Sequence, residues 1–141
     1  MIESRAEARR VFMNVWRKVS GGERLEPLEA IIADVIRQHP EYHGLLGSEA
    51  SVDADFDADD GSVNPFLHMG MHVALHEQLQ ADRPAGVRAL YQQLMASAAV
   101  PHDSEHRMLD CLGQVLWEAQ RAGTMPDETR YLDCLRGLSG R

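Results

Sequence analysis

Asn64-Pro65-Phe66-Leu67-His68-Met69-Gly70-Met71-His72-Val73-Ala74-Leu75-His76 opens with a clear helix start and carries apolar residues throughout its length. The Asn side chain can accept hydrogen bonds from free backbone amides, and a proline at the first helical position loses no bond. The spacing predicts a helix running to about Gln80. Upstream, Leu28, Ile31, Ile32, Val35 and Ile36 recur at helical intervals, with Pro27 near the start and Pro40 just past the end. Before them, Ala8, Val11, Phe12, Val15, Trp16 and Val19 mark a helix from about Ser4 to Val19, stopped by Gly21 and Gly22; these first two helices should pair as a hairpin. Downstream, Asp82-Arg83-Pro84 restarts the chain into a fourth helix with Val87, Leu90, Tyr91, Leu94 and Met95 on its apolar side. A fifth spans about Pro101 to Arg121 on a stripe of Met108, Leu109, Leu112, Val115, Leu116 and Ala119, with Gly123 after it; a sixth runs from Asp127 to Leu138. No segment alternates with period two. The expected fold is all-α, a helical bundle or orthogonal helical array of five to six helices.

With 141 residues and 44% hydrophobic content, the chain is long enough for one core and short for two, so residues 1–141 are expected to form a single helical domain. Fourteen Lys and Arg against 22 Asp and Glu give a formal charge of -8, which offers no long-range attraction to nucleic acid or anionic lipid. No stretch approaches a membrane span, and the charged run from Met1 to Arg10 reads as a surface helix rather than a signal core. Cys111 and Cys134 stand far apart in the sequence, each at a position where a helix can bury it, and are expected to be reduced; with the missing export signal this predicts a cytoplasmic protein. Between Tyr42 and Val63 the periodicity fades, and the acidic run Asp53, Asp55, Asp57, Asp59, Asp60 is expected to be a strandless connection. A calcium loop fails there, because Gly61 falls one place late and Phe66 stands where the closing Glu belongs.

The chemical lead is histidine. All seven, His39, His43, His68, His72, His76, His102 and His106, belong to groups spaced by four, and on a helix positions four apart share a face and can share an ion. If the apolar centre of the third helix lies among Leu67, Met71, Ala74 and Leu75, His68 and His72 flank it and His76 points to solvent. On the fifth helix Glu105 projects into the stripe of Leu109, Leu112 and Leu116, where a carboxylate must be paired or coordinated. His102 flanks Glu105, and His106 sits on the far shoulder of the same turn. His39 and His43 form the weakest pair, since Pro40 interrupts any shared helix, and His39 can instead favour the negative end of the second helix. The expected metal ligands are therefore His68, His72, His102, Glu105 and His106 around a divalent transition metal, zinc or iron first, with manganese and nickel also compatible. The competing reading makes the same residues a hydrogen-bonded polar seam. His102-Asp103-Ser104-Glu105-His106 also matches the short inverted zinc-peptidase pattern, but no sheet edge is predicted to hold a peptide.

The strings Asn64-Pro-Phe-Leu-His68-Met-Gly-Met-His72, Glu77-Gln78, Asp82-Arg83-Pro84, Glu105-His106-Arg-Met-Leu, Leu116-Trp117-Glu-Ala-Gln120-Arg121 and Pro126-Asp127-Glu-x-x-Tyr131-Leu132 span most of the chain. On them the chain resembles a bacterial family known as domain of unknown function 1841. The resemblance implies no activity; it points to His68, His72 and His106, with His102 close behind, and so raises His106 above its helical angle. The expected function is a small metal-binding helical protein, redox or hydrolytic, its substrate unknown, with Glu105 as the proton acceptor of any catalysis. The alternative is a noncatalytic interaction or scaffold protein with a structural histidine-carboxylate network. A homodimer or a protein partner is compatible with either.

Overall fold

The computed structural model describes residues 5–54 and 64–138, and among them every regular element is helical. The cap read from the sequence forms: Asn64 Oδ1 accepts the amides of Phe66 at 3.0 Å and Leu67 at 3.2 Å. The elements are α1 (Arg5–Ser20), α2 (Pro27–Arg37), α3 (His43–Leu46), α4 (Pro65–Ala81), α5 (Val87–Ala96), α6 (Pro101–Ala122) and α7 (Glu128–Leu138), with 3-10 turns at Pro40–Tyr42 and Glu49–Val52. Seven α-helices among the described residues exceed the expected five to six. The addition is α3, whose single turn is too short to display a repeat. The acidic run beyond Ala54, with the strandless connection expected there, lies outside the described residues.

The chain divides into two compact units, Met1–Val73 and Ala74–Arg141, with the boundary inside α4. In the first unit α1 packs on α2 as the hairpin reading requires. Phe12 and Val15 meet Ile32, Val35 and Ile36, with Leu46 of α3 and Phe66, Met69 and Val73 of α4 closing the core. Phe12 and Phe66 meet edge to face at 6.2 Å. Lys18 bridges the hairpin to Glu29 at 2.8 Å, and that hydrogen bond holds the Glu29 carboxyl below its ordinary range.

Arg9 departs from the surface role that the charged N-terminal run suggested. Only 2% exposed, it sends Nη1 to the carbonyls of Ser51 at 3.1 Å, Val52 at 3.1 Å and Ala54 at 2.8 Å, and its guanidinium lies 5.1 Å from the Phe66 ring centroid. The physical reason is that the 3-10 turn stops at Val52, so its last carbonyls are open to a side-chain donor.

In the second unit α5 and α7 pack on α6. Val87, Leu94, Met108, Leu109, Leu112, Val115 and Leu135 are buried there. Gly123 ends α6 in the left-handed conformation, φ 67°, as a glycine C-terminal stop requires. The connection from α4 to α5 is tied by Arg88, which donates to the carbonyls of Leu79 and Gln80 at 2.9 and 2.8 Å, while its amide bonds Asp82 Oδ1 at 3.0 Å and holds that carboxyl low.

Cys111 and Cys134 form a disulfide, Cα atoms 5.8 Å apart, which corrects the expectation that both are reduced. Distance in sequence misled: the reversal between α6 and α7 brings their facing sides together. The thiol argument for a reducing compartment falls with it. Among the described residues no helix is long and apolar enough to cross a membrane.

Two outcomes follow. Protein prepared with thiol trapping will show no free thiols by nonreducing mass analysis, and reduction will lower unfolding free energy by about 3 kcal/mol, the scale for closing a loop of this size. Arg9→Ala will shift the denaturant midpoint far more than Arg10→Ala. The first leaves buried carbonyls unsatisfied at roughly 1–3 kcal/mol each, whereas Arg10 loses only an exposed pair with Glu49, typically worth under about 1 kcal/mol.

Candidate metal centre

α2 ends at Arg37, where the amides of Gln38 and His39 close its last turn on Val35 O at 3.2 Å and Ile36 O at 3.0 Å, and Pro40 has no amide to continue the ladder. His39, only 2% exposed, adds a side-chain donor to the same turn: its Nδ1 lies 2.7 Å from Val35 O. A carbonyl only accepts, so Nδ1 carries the proton and a neutral His39 presents a lone pair at Nε2. The ring stacks on Tyr42, centroids 5.5 Å apart and planes 3° from parallel. Burial, reinforced by the Glu41 charge, raises the Tyr42 hydroxyl pKa above its ordinary value.

His68 and His72 enter from successive turns of α4. Their Nε2 atoms stand 3.2 Å apart with rings edge to face, and His72 is fully buried. The His39 ring centroid lies 5.1 Å from that of His68 and 4.8 Å from that of His72. The three offer ligand nitrogens within 4.8 Å of one another. Two nitrogens bound tetrahedrally to zinc at about 2.0–2.1 Å stand roughly 3.3 Å apart, so the His68–His72 pair is already at ligand spacing. A backbone carbonyl behind a ligating imidazole is the usual device for fixing its tautomer and direction, and Val35 O fills that place for His39.

His43 serves a different end. Its Nε2 donates to Ile36 O at 2.9 Å and its ring packs on Trp16 with centroids 4.2 Å apart. It caps α2 beside His39, with the opposite nitrogen protonated.

In the second unit Glu105 is 7% exposed, as its place in the α6 stripe predicted. His76 Nε2 lies 3.9 Å from Glu105 Oε1, and His102 and His106 stack edge to face with centroids 4.2 Å apart. Tyr91 adjoins this group; burial and then the Glu105 charge raise its hydroxyl pKa.

The structure thus brings His68 and His72 together as expected and adds His39, which sequence reasoning ranked last. His102, Glu105 and His106 occupy neighbouring positions of α6. His76 is corrected: it is partly buried and turned toward Glu105 rather than outward. The error lay in the assumed face of α4. Leu67 is 59% exposed, whereas Phe66, Met69, His72, Val73 and Leu75 are buried. Apolar residues occur all round this helix, so their pattern selects no side. His39 was discounted because Pro40 breaks helical spacing; the usable signal was a histidine two residues beyond a helix end, where it can cap and still turn inward.

Fold and site together define a helical protein with a buried cluster of imidazoles. The family model described as Domain of unknown function (DUF1841) matches residues 4–137, and the chain belongs to that family. No curated protein and no solved structure is similar enough to this chain to match it.

Long-range proton–nitrogen spectra of metal-free protein at neutral pH will show His39 protonated at Nδ1 and His43 at Nε2. Finding the same tautomer in both would break the assignment of their carbonyl partners.

Proposed function

We propose that this protein binds a divalent transition metal, zinc or iron, through His39, His68 and His72. The observation that carries the reading is the approach of three ligand nitrogens within 4.8 Å, with His39 and His72 buried and His39 held by Val35 O. An all-imidazole set suits zinc, iron, nickel or copper better than calcium or magnesium, which prefer oxygen. Three protein ligands leave a position for water or substrate, and a metal held this way supplies Lewis acidity and an acidified water. On the residue pattern alone the proposal extends to His102, Glu105 and His106 as further donors, with Glu105 as the proton acceptor in redox or hydrolytic chemistry on an unidentified substrate.

A second reading rests on the 3.2 Å contact between the Nε2 atoms of His68 and His72, which serves equally as a hydrogen bond when one nitrogen carries a proton. The cluster is then a structural seam in a noncatalytic interaction or scaffold protein.

Elemental analysis separates the two. Protein purified without an affinity resin should carry close to one equivalent of metal, and metal-free protein should bind added zinc or iron tightly. His72→Ala should lose at least a hundredfold in affinity with the helical spectrum preserved, and His39→Ala should lose tenfold or more. His43→Ala should leave binding unchanged. A tenfold loss in His106→Ala supports the extension to α6, whereas wild-type affinity there confines the ligands to the first unit. No bound metal and no tight binding of zinc, iron, manganese or nickel would leave the seam as the role of the cluster.

A further inference from the structure

A cleft of about 700 Å³ opens in the second unit between α6, the start of α7 and the turn after α4. That size falls among small-molecule pockets, roughly 300–1,000 Å³. One wall is aliphatic, built from Leu112, Val115 and Leu116 of α6 with Met125 from the following turn. Met125 is 85% exposed and Leu116 41% exposed, apolar area that a ligand would withdraw from water.

The polar groups bordering the cleft include two sets of unengaged donors. Tyr131, buried, donates its hydroxyl to Gln78 Oε1 at 2.7 Å, which fixes the Gln78 amide and leaves its NH2 as the group to be satisfied. Burial pushes the Tyr131 hydroxyl up to about 12, so it stays protonated in this contact. Arg83 borders the same cleft, and its guanidinium has no ion-pair partner among the described residues. Asp127, by contrast, has an oxygen engaged by the Arg130 amide at 3.1 Å, where it caps α7. Glu128 also borders the cleft and disfavours a ligand carrying more than one negative charge.

We propose that this cleft binds an amphipathic monocarboxylate of the fatty-acid type. Its chain lies along Leu112, Val115, Leu116 and Met125, and its carboxylate meets Arg83 and the Gln78 amide. Guanidinium and carboxylate match in charge and in fork geometry, which a neutral or cationic head cannot reproduce. The lining is branched aliphatic and thioether, suited to a flexible chain rather than to a stacked ring. Gln78, Arg83, Leu116 and Tyr131 fall within the strings by which the chain resembles its family, and the histidine cluster uses none of them. The proposal stands independently of the metal reading.

Calorimetric titration of the full chain with decanoate, 1-decanol and decylamine, each below its aggregation limit, tests it. Decanoate should bind one to one and at least tenfold tighter than the alcohol or the amine. Arg83→Gln, an exposed change, should erase that advantage. Leu116→Asp should weaken decanoate tenfold or more with an unchanged helical spectrum, and His72→Ala should leave decanoate binding as in the parent. Absence of saturable decanoate binding, equal affinity for the three probes, a preference for the amine, or full decanoate affinity in Arg83→Gln would each overturn it.

Discussion

A polar group carried out of water without a hydrogen bond costs roughly 2–7 kcal/mol depending on the reference state, and an imidazole brings two such nitrogens with it. That constraint organises the first unit. Pro40 follows the end of α2, and two histidines just beyond that end hydrogen-bond its last carbonyls, which also accept the amides of Gln38 and His39. One ring nitrogen of His39 is thereby assigned to Val35, and the other turns toward His68 and His72. The helix end thus satisfies one nitrogen of a buried ring and leaves the other for the cluster. The same residue that breaks helical spacing in the sequence is what places the third imidazole.

Arg9 repeats the logic with the opposite partner. Here a charged side chain is taken inside because the Glu49–Val52 turn presents two carbonyls and Ala54 just after it a third, and the Phe66 ring lies within cation–π distance. Arg9 joins residues 42 to 45 positions apart in the chain through backbone carbonyls, a kind of contact that side-chain patterns do not encode. The Arg9 bonds hold the Glu49–Val52 turn to α1, and Phe66, facing the guanidinium, belongs to the apolar core.

Helix existence was legible because it depends on local signals. Asn64 and Pro65 start α4, Gly123 stops α6, and apolar residues at helical intervals mark α1, α2 and α6. The buried place of Glu105 was legible for the same reason, since a stripe as regular as that of α6 fixes a direction. The direction of α4 was not, because apolar residues surround it and only tertiary contacts choose among its faces. Arg9 as a core residue and His39 as a site residue were hidden for a related reason: each is held by backbone carbonyls at the end of an element to which it does not belong. The pairing of Cys111 with Cys134 needed the packing of α6 on α7, which sequence separation does not report.

The disulfide ties α7 to α6 near the middle of the last described helix. A short helix held by packing alone can open by itself at little cost. With Cys134 bound to Cys111, α7 can lose its packing but cannot diffuse away, and its local concentration beside α6 stays high through every opening. Amide hydrogens of the two helices should then exchange as one cooperative unit rather than as a tail peeling from a stable core. A nick between Gly123 and Asp127 would leave the pieces joined, so proteolysis of this connection would be silent until a reductant arrived.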